Sequence, residues 1–544
     1  MDRRPRPLGA LWTLAALAIA GALAAPLVAV VGSLARPARE VWSHLARTQL
    51  AELTWNTAAL LGGVGLGTLV LGAALAWLVV GWEFPGRAVF EWALILPLAM
   101  PAYVIGFAFL GVFDYAGPVQ TALRGWLGPA ARLPDPRSYG GVVVVMTLVF
   151  YPYVYLLART AFAEHGAATL ETARSLGRTR GRAFREVVLP MARPSLVAGA
   201  SLAMMEALAD FGTVATFGYR TLTEAVYRVW YGMFDRAAAS QLASLLLLAA
   251  LGLLVLETAL RGRARFTQSQ RRGPGITRAR LAGARAWGAT AACGAVLAAA
   301  FLLPVLRLAL WAREAAAGDT TIVPAFGAVL ANTLAFAAAA ALLACAFALI
   351  LGYAGRLHPS PGVRLSTRFA SMGYALPGSV IAVGVLVPVA ALDHVLARAA
   401  EALSGRPAGL ILTGSAATLV FAYVVRFLAP AFQTLDASLG KIPASLDDAA
   451  RALGAGGGRT LRRVHLPLMR GGLLTALVLV FVETIKEMPA TLLLRPFGRD
   501  TLAVTVWERT SESQWAEASV PALAIVAAGL LPVFLAVRLS SRAR

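Results

Sequence analysis

Two stretches place ionisable side chains inside otherwise apolar sequence. The first reads Glu206-Ala-Leu-Ala-Asp210, and the second reads Glu483-Thr-Ile-Lys486-Glu487. In each, two acids stand four residues apart, the spacing that puts side chains on one face of a helix. Lys486 lies beside Glu483 and can neutralise it. Charged groups at membrane depth are costly, so those retained face a bundle interior or a wet path. Two kinds of chemistry fit: a gate or polar lining attractive to a cation, or a satisfied polar cluster that locks helices together. The sequence does not separate them. Four carboxylates and one lysine do not define a metal site, because ligand geometry is not contained in spacing. No catalytic residue, metal ligand or cofactor is assigned.

Other reactive patterns are missing. There is no GxxxxGK[ST] loop, no HExxH, no GxSxG and no His/Cys cluster. The histidines at 44, 165, 358, 394 and 465 are scattered, and Cys293 and Cys345 sit singly in apolar runs as packing residues. A nucleotide-driven step would need another protein.

The elements that must hold these acids are membrane spans. Of the 544 residues, 58% are hydrophobic and only 14% charged, which excludes a soluble enzyme, a disordered chain and a disulfide-stapled secreted domain. Apolar runs long enough to cross the hydrocarbon layer are read at 9–32, 57–80, 88–113, 141–158, 195–217 and 240–260. A second set follows at 286–310, 329–355, 367–390, 409–430, 471–493 and 520–537. The first run is too long for a signal-peptide core and is read as a retained helix. The net charge of +21 suggests nucleic acid, but its distribution points elsewhere. With the N-terminus inside, Lys and Arg favour the internal connections roughly two to one. The densest basic cluster, Arg261 to Arg285 around Gly273-Pro-Gly275, reads as a cytoplasmic linker near an anionic leaflet, not a nucleic-acid site. Both termini are expected in the cytoplasm.

The chain is written twice. Asn56-Thr57 matches Asn332-Thr333 and Pro101 matches Pro377 at an offset of 276; Gly177 matches Gly454, Glu206 matches Glu483 and Trp230 matches Trp507 at 277. The expected organisation is a first repeat over 1–262, a basic linker over 263–285 and a second repeat over 286–544, each repeat with six spans. An even number of spans sets both copies the same way up, a parallel repeat about the membrane normal, with the natural path at the interface between halves.

A motif recurs between spans 4 and 5 and between spans 10 and 11. Glu171-Thr-Ala173-Arg-Ser-Leu-Gly177 leads to Leu189-Pro190, and Asp448-Ala449-Ala450-Arg-Ala-Leu-Gly454 leads to Leu466-Pro467. The spacing predicts a short helix, a Gly with φ > 0 at its end, then a second helix stopped near the proline. Each copy, over 171–190 and 448–467, forms an elbow kept out of lipid by arginines. A compact helical turn presented twice suits docking into two grooves of a symmetric partner.

This spacing resembles the EAA motif of binding-protein-dependent ABC importer permeases, once per half. The resemblance implies an all-α polytopic membrane protein of the type I importer permease kind, with about twelve transmembrane helices in two parallel six-helix repeats. It implies that Glu171, Ala173, Gly177, Leu189 and Pro190, with Asp448, Ala449, Ala450, Gly454, Leu466 and Pro467, form coupling elbows for separate ABC ATPase subunits, a homodimer on the cytoplasmic side. A solute-binding protein would deliver substrate outside, at a bacterial inner membrane. Thr172 and Asp448 depart mildly from the motif. The runs Ala209-Asp-Phe-Gly-Thr-Val214 and Leu492-Leu-Leu-Arg-Pro-Phe-Gly498 resemble the fused permeases of ferric-iron importers. Fused thiamine and phosphonate-type permeases are similar in architecture. An ion-coupled secondary transporter is the alternative of another class, and the twin elbows argue against it.

Overall fold

The computed structural model describes residues 7–35, 39–175, 177–261, 278–318, 322–372, 376–406 and 409–541. Much of the basic linker, including Arg263, Arg265, Arg271 and Arg272, lies outside the described residues. Among the described residues twelve helices are long and apolar enough to cross a membrane, one for each run read from the sequence. The protein is an all-α, multi-pass membrane protein.

Several boundaries move, and prolines or changes of amphipathicity account for them. The third run is not one helix. It breaks into Arg87–Ala93, a short turn at Leu96–Ala99 and Ala102–Phe113, because Pro97 and Pro101 lack the amide hydrogens a continuous helix needs. The ninth run starts later than 367. Residues up to Met372 belong to an amphipathic helix, Pro361–Met372, carrying Arg364 and Arg368, and the span itself is Gly378–Ser404. The fifth and eleventh spans start earlier than expected and stop at the acids, as described below.

The chain forms two compact units, and neither is one sequence half. One contains residues 1–42, 226–247 and 320–508. Its centre is Ile322–Leu357, Ala416–Gly440 and Leu466–Lys486, all from the second half. The first helix of the chain, Pro7–Gly32, packs here on Pro361–Met372 and Gly378–Ser404. The approach is close: a Cβ at Gly384 would sit 2.6 Å from the Pro26 carbonyl oxygen, so only glycine fits there.

The other unit contains residues 43–225, 248–319 and 509–544. Its centre is Leu50–Gly81, Tyr139–Ser175 and Leu189–Ala209. Leu303–Gly318 and Trp515–Ser541, both from the second half, pack on each other and on Leu96–Ala99 and Ala102–Phe113 of this unit. The Trp311 ring lies 6.1 Å from Phe107 and 5.6 Å from Trp515. Ala279–Arg280, at the end of the linker, pairs in parallel with Trp82–Glu83. Each unit thus borrows terminal helices from the other half.

Candidate functional site

The two elbows share one backbone plan. Gly177 has φ +78° and Gly454 has φ +74°, the left-handed conformation expected of both. Around Gly454 the turn is complete: Ala455 N donates to Ala450 O at 2.9 Å and Gly454 N to Arg451 O at 3.0 Å, the paired bonds that close a helix end on a left-handed glycine.

The second arm of each elbow differs from the expectation. The helix is not stopped by Pro190 or Pro467. It runs from Arg180 through a π-turn at Phe184–Val188 into Leu189–Ala209, and from Gly457 through a π-turn at Leu461–His465 into Leu466–Lys486. Each proline stands in the first turn after the widened turn, where its missing N–H removes little from the ladder. The second arm of each elbow and the membrane span are therefore one rod of 30 residues, about 45 Å long at 1.5 Å per residue.

The far end of each rod carries the acids. Both rods end just before the second acid, as Asp210 and Glu487 take extended backbone with ψ 118° and 115°. The acids therefore do not share one helical face. Glu206 and Glu483 stay on the rod, whereas Asp210 and Glu487 cap the short helices that follow. Thr213 N donates to Asp210 Oδ1 at 2.7 Å, and Ala490 N to Glu487 Oε1 at 2.8 Å. Lys486 Nζ does pair with Glu483, at 2.7 Å. Glu487 has a partner that sequence reasoning missed: Arg426 Nε, 3.3 Å away, with the Glu487 side chain only 3% exposed. A Cβ at Gly378 would overlap both the guanidinium and the carboxylate, so the glycine opening this span makes room for the pair. The position equivalent to Arg426 in the first half is Val149. Among the described residues no three His, Cys, Asp or Glu side chains converge on a metal-sized space.

The Asn-Thr landmarks also have matching partners. Asn56 Nδ2 donates to Arg220 O at 3.1 Å, and Thr57 Oγ1 accepts from Leu222 N at 3.0 Å. Asn332 Nδ2 donates to Asp500 O at 3.3 Å, and Thr333 Oγ1 accepts from Leu502 N at 2.9 Å. Each clamp ties the start of a long helix to the segment beyond the acid-capped short helix. Beside the second clamp, Arg495 binds Asp500 at 2.6 Å and Glu508 at 2.5 Å.

What holds each elbow is not shared. The first elbow helix is the end of one 37-residue helix, Tyr139–Ser175. Glu171 and Ala173 belong to its last turns, and their side chains lie outside the described residues. Trp77 stacks on Phe184 of the first π-turn, with centroids 4.0 Å apart, and meets Phe162 edge-on. The second elbow helix, Ala444–Ala452, is separate, because Pro443 caps it in an extended conformation after Ala416–Gly440 has ended. Asp448 and Ala449 are exposed on it and Ala450 is buried. Three residues with no place in the motif hold it: Arg356, Asp447 and His465. Arg356 could be read only as an ordinary basic residue ending an apolar run. Its partner Asp447 is 91 residues away, beyond any local pattern.

Twelve apolar helices among the described residues, a duplicated half and a helical elbow in each copy define a polytopic membrane transport protein. The family model described as "Binding-protein-dependent transport system inner membrane component" matches residues 55–263 and again 344–544. The chain belongs to this family: it is a fused, two-repeat permease of the ABC importer class. It is 27% identical over 500 residues, covering 90% of each chain, to the Fe(3+)-transport system permease protein FbpB 2 of Haemophilus influenzae. It is 32% identical to the sulfate transport system permease protein CysT of Salmonella typhimurium, over 34% of this chain and 67% of that one. It is 30% identical to the molybdenum transport system permease protein ModB of Escherichia coli, over 29% of this chain and 71% of that one.

Proposed function

We propose that the chain forms the translocation path for ferric iron, delivered outside by a solute-binding protein and driven by two copies of a cytoplasmic ATPase. Both termini and both elbows face the cytoplasm in this reading. The observation that carries the coupling role is the continuity of each rod. One helix joins a surface elbow, shaped by a left-handed glycine and a π-turn, to a helix break capped by a buried or half-buried acid. Force applied at Glu171–Gly177 or Asp448–Gly454 passes through the glycine turn into the rod, and the rod carries it to Glu206 and Asp210, or to Glu483, Lys486 and Glu487. These acids line or gate the path. Packed helices move as rigid bodies between discrete arrangements, so a rod anchored at a break is suited to switching access.

The iron assignment is supported by the extent of the likeness. The iron permease matches nearly end to end, whereas the sulfate and molybdenum permeases match about a third of the chain. Those two also support a second reading, an oxyanion as cargo. Uptake by proteoliposomes carrying the chain and its ATPase tests both. Binding proteins loaded with ferric iron, sulfate, molybdate or thiamine are supplied in turn, and ATP-dependent uptake of iron alone is expected. Uptake of an oxyanion or thiamine instead would overturn the iron reading, and uptake at full rate without the ATPase would overturn the class of mechanism.

A further inference from the structure

We propose that Arg356 is a positioning residue for energy coupling, clamping the second elbow to the end of the Ile322–Leu357 helix so that movement of the elbow is transmitted to the membrane spans. The proposal rests on the coupling role argued above.

The break at Pro443 creates the need. Where the Ala416–Gly440 helix stops, the chain turns through residues 441–443 into the elbow helix. The Arg356 guanidinium gathers the carbonyls of that turn: Nη1 donates to Leu439 O at 2.7 Å, and Nη2 to Ile442 O at 2.8 Å and Pro443 O at 3.3 Å. Its Nε donates to Asp447 Oδ2 at 2.8 Å, inside the first turn of the elbow helix. The other Asp447 oxygen lies 2.8 Å from Nε2 of His465, which is fully buried at the end of the second π-turn. One turn earlier on the Arg356 helix, Tyr353 donates to Gly457 O at 2.7 Å and meets the His465 ring edge-on. A single helix end thus grips the elbow on its way in, at 439–447, and on its way out, at 457 and 465.

Arginine suits this place as lysine does not. Its rigid planar fork supplies five donors at fixed angles and keeps its charge. Here one fork serves three carbonyls and a carboxylate. In the first half the position equivalent to Arg356 is Val80 and that equivalent to Pro443 is Gly166. The helix there runs unbroken over Tyr139–Ser175, so it makes no turn of this kind to hold.

The test uses the full chain with its co-purifying ATPase in proteoliposomes. Uptake per ATP hydrolysed is read with whichever cargo of the panel above the unaltered chain transports. A cysteine at Leu453, 87% exposed on the elbow, reports docking by cross-linking to the ATPase. Arg356→Met is expected to keep the cross-link and ATP hydrolysis but to lower the coupling ratio at least five-fold. Arg356→Lys should recover part of it, and Asp447→Asn, which spares the carbonyl bonds, should lower the ratio two- to three-fold. An assembled Arg356→Met protein with an unchanged ratio overturns the proposal. If that variant does not accumulate, an unchanged ratio in Asp447→Asn overturns it. Absence of the cross-link in the chain bearing only Leu453→Cys overturns the docking reading itself, and the Arg356 proposal with it.

Discussion

The two elbows reach the same shape by different means. Their glycines differ by 4° in φ (+78° against +74°), and each is followed by a π-turn and a 30-residue rod. Yet the first ends an unbroken helix and leans on a tryptophan, whereas the second is cut at Pro443 and restitched by an arginine. On the proposed coupling role, the difference separates what docking would demand from what merely supports it. Backbone geometry at the turn is kept in both halves; the chemistry beneath it is free to diverge. Support by aromatic packing is local and tolerant of direction. Support by a guanidinium fork is directional, and it ties the elbow to one particular helix.

The comparison is open to attack at several points. The largest effect is expected from Trp77→Ala. Truncating a large aromatic in a packed setting costs about 3 kcal/mol, and the stack on Phe184 goes with it. Cys293 is buried in the same cluster, whereas Cys345 is buried in the other unit. Thermal unfolding followed with a thiol-reactive dye should therefore show Cys293 exposed at lower temperature in Trp77→Ala, with Cys345 unmoved. A matching shift at Cys345 would show that the two units melt together.

Replacing Gly177 or Gly454 by valine comes next. Nothing lies within 4 Å of a Cβ at either position, so the cost is conformational alone, about 1–3 kcal/mol for a branched residue held at positive φ. Transport should fall more than ten-fold in each single variant, with membrane insertion intact on fractionation. Unequal losses would show that the elbows are not equivalent in docking.

A smaller effect is expected from Tyr353→Phe, which removes the bond to the Gly457 carbonyl while keeping the ring. One such bond contributes about 1 kcal/mol, so the coupling ratio should fall less than two-fold. A loss as large as that of Arg356→Met would make Tyr353 an equal partner in the clamp. The smallest belongs to Asp448→Asn. Its ion pair with Arg451 is 2.5 Å long, but both side chains are mostly exposed, and exposed pairs of this kind contribute about 0.3 kcal/mol. Unfolding temperature should not move. A loss of transport without loss of stability would place the Asp448 carboxylate in the contact with the ATPase.

Much of this was legible in the sequence, for identifiable reasons. Apolar runs announce spans because hydrocarbon thickness sets a minimum length. Gly177 and Gly454 announce left-handed turns because few other residues pay so little for them. The landmark Asn56-Thr57 announced a repeat, though not the clamp it makes with Arg220 and Leu222. What stayed hidden was long-range or non-periodic. The breaks at Asp210 and Glu487 follow apolar sequence that reads as continuing helix, so the acids were placed on a face they do not share. Arg426 and Arg356 find partners 61 and 91 residues further along the chain. The amphipathic helix Pro361–Met372 merged with the apolar run behind it, shifting the ninth span. No periodicity tells the first helix which neighbour it will choose.

That choice has a consequence for how the molecule can be divided. Pro7–Gly32 is lodged among second-half helices, and Leu303–Gly318 and Trp515–Ser541 among first-half helices, with Gly384 closed against Pro26. A nick within residues 263–285 would leave two polypeptides that clasp one another like folded hands, each short of a wall without its mate. The fusion is then a convenience of synthesis rather than the bond that keeps the halves together, and fragments expressed alone should be degraded while co-expressed ones survive.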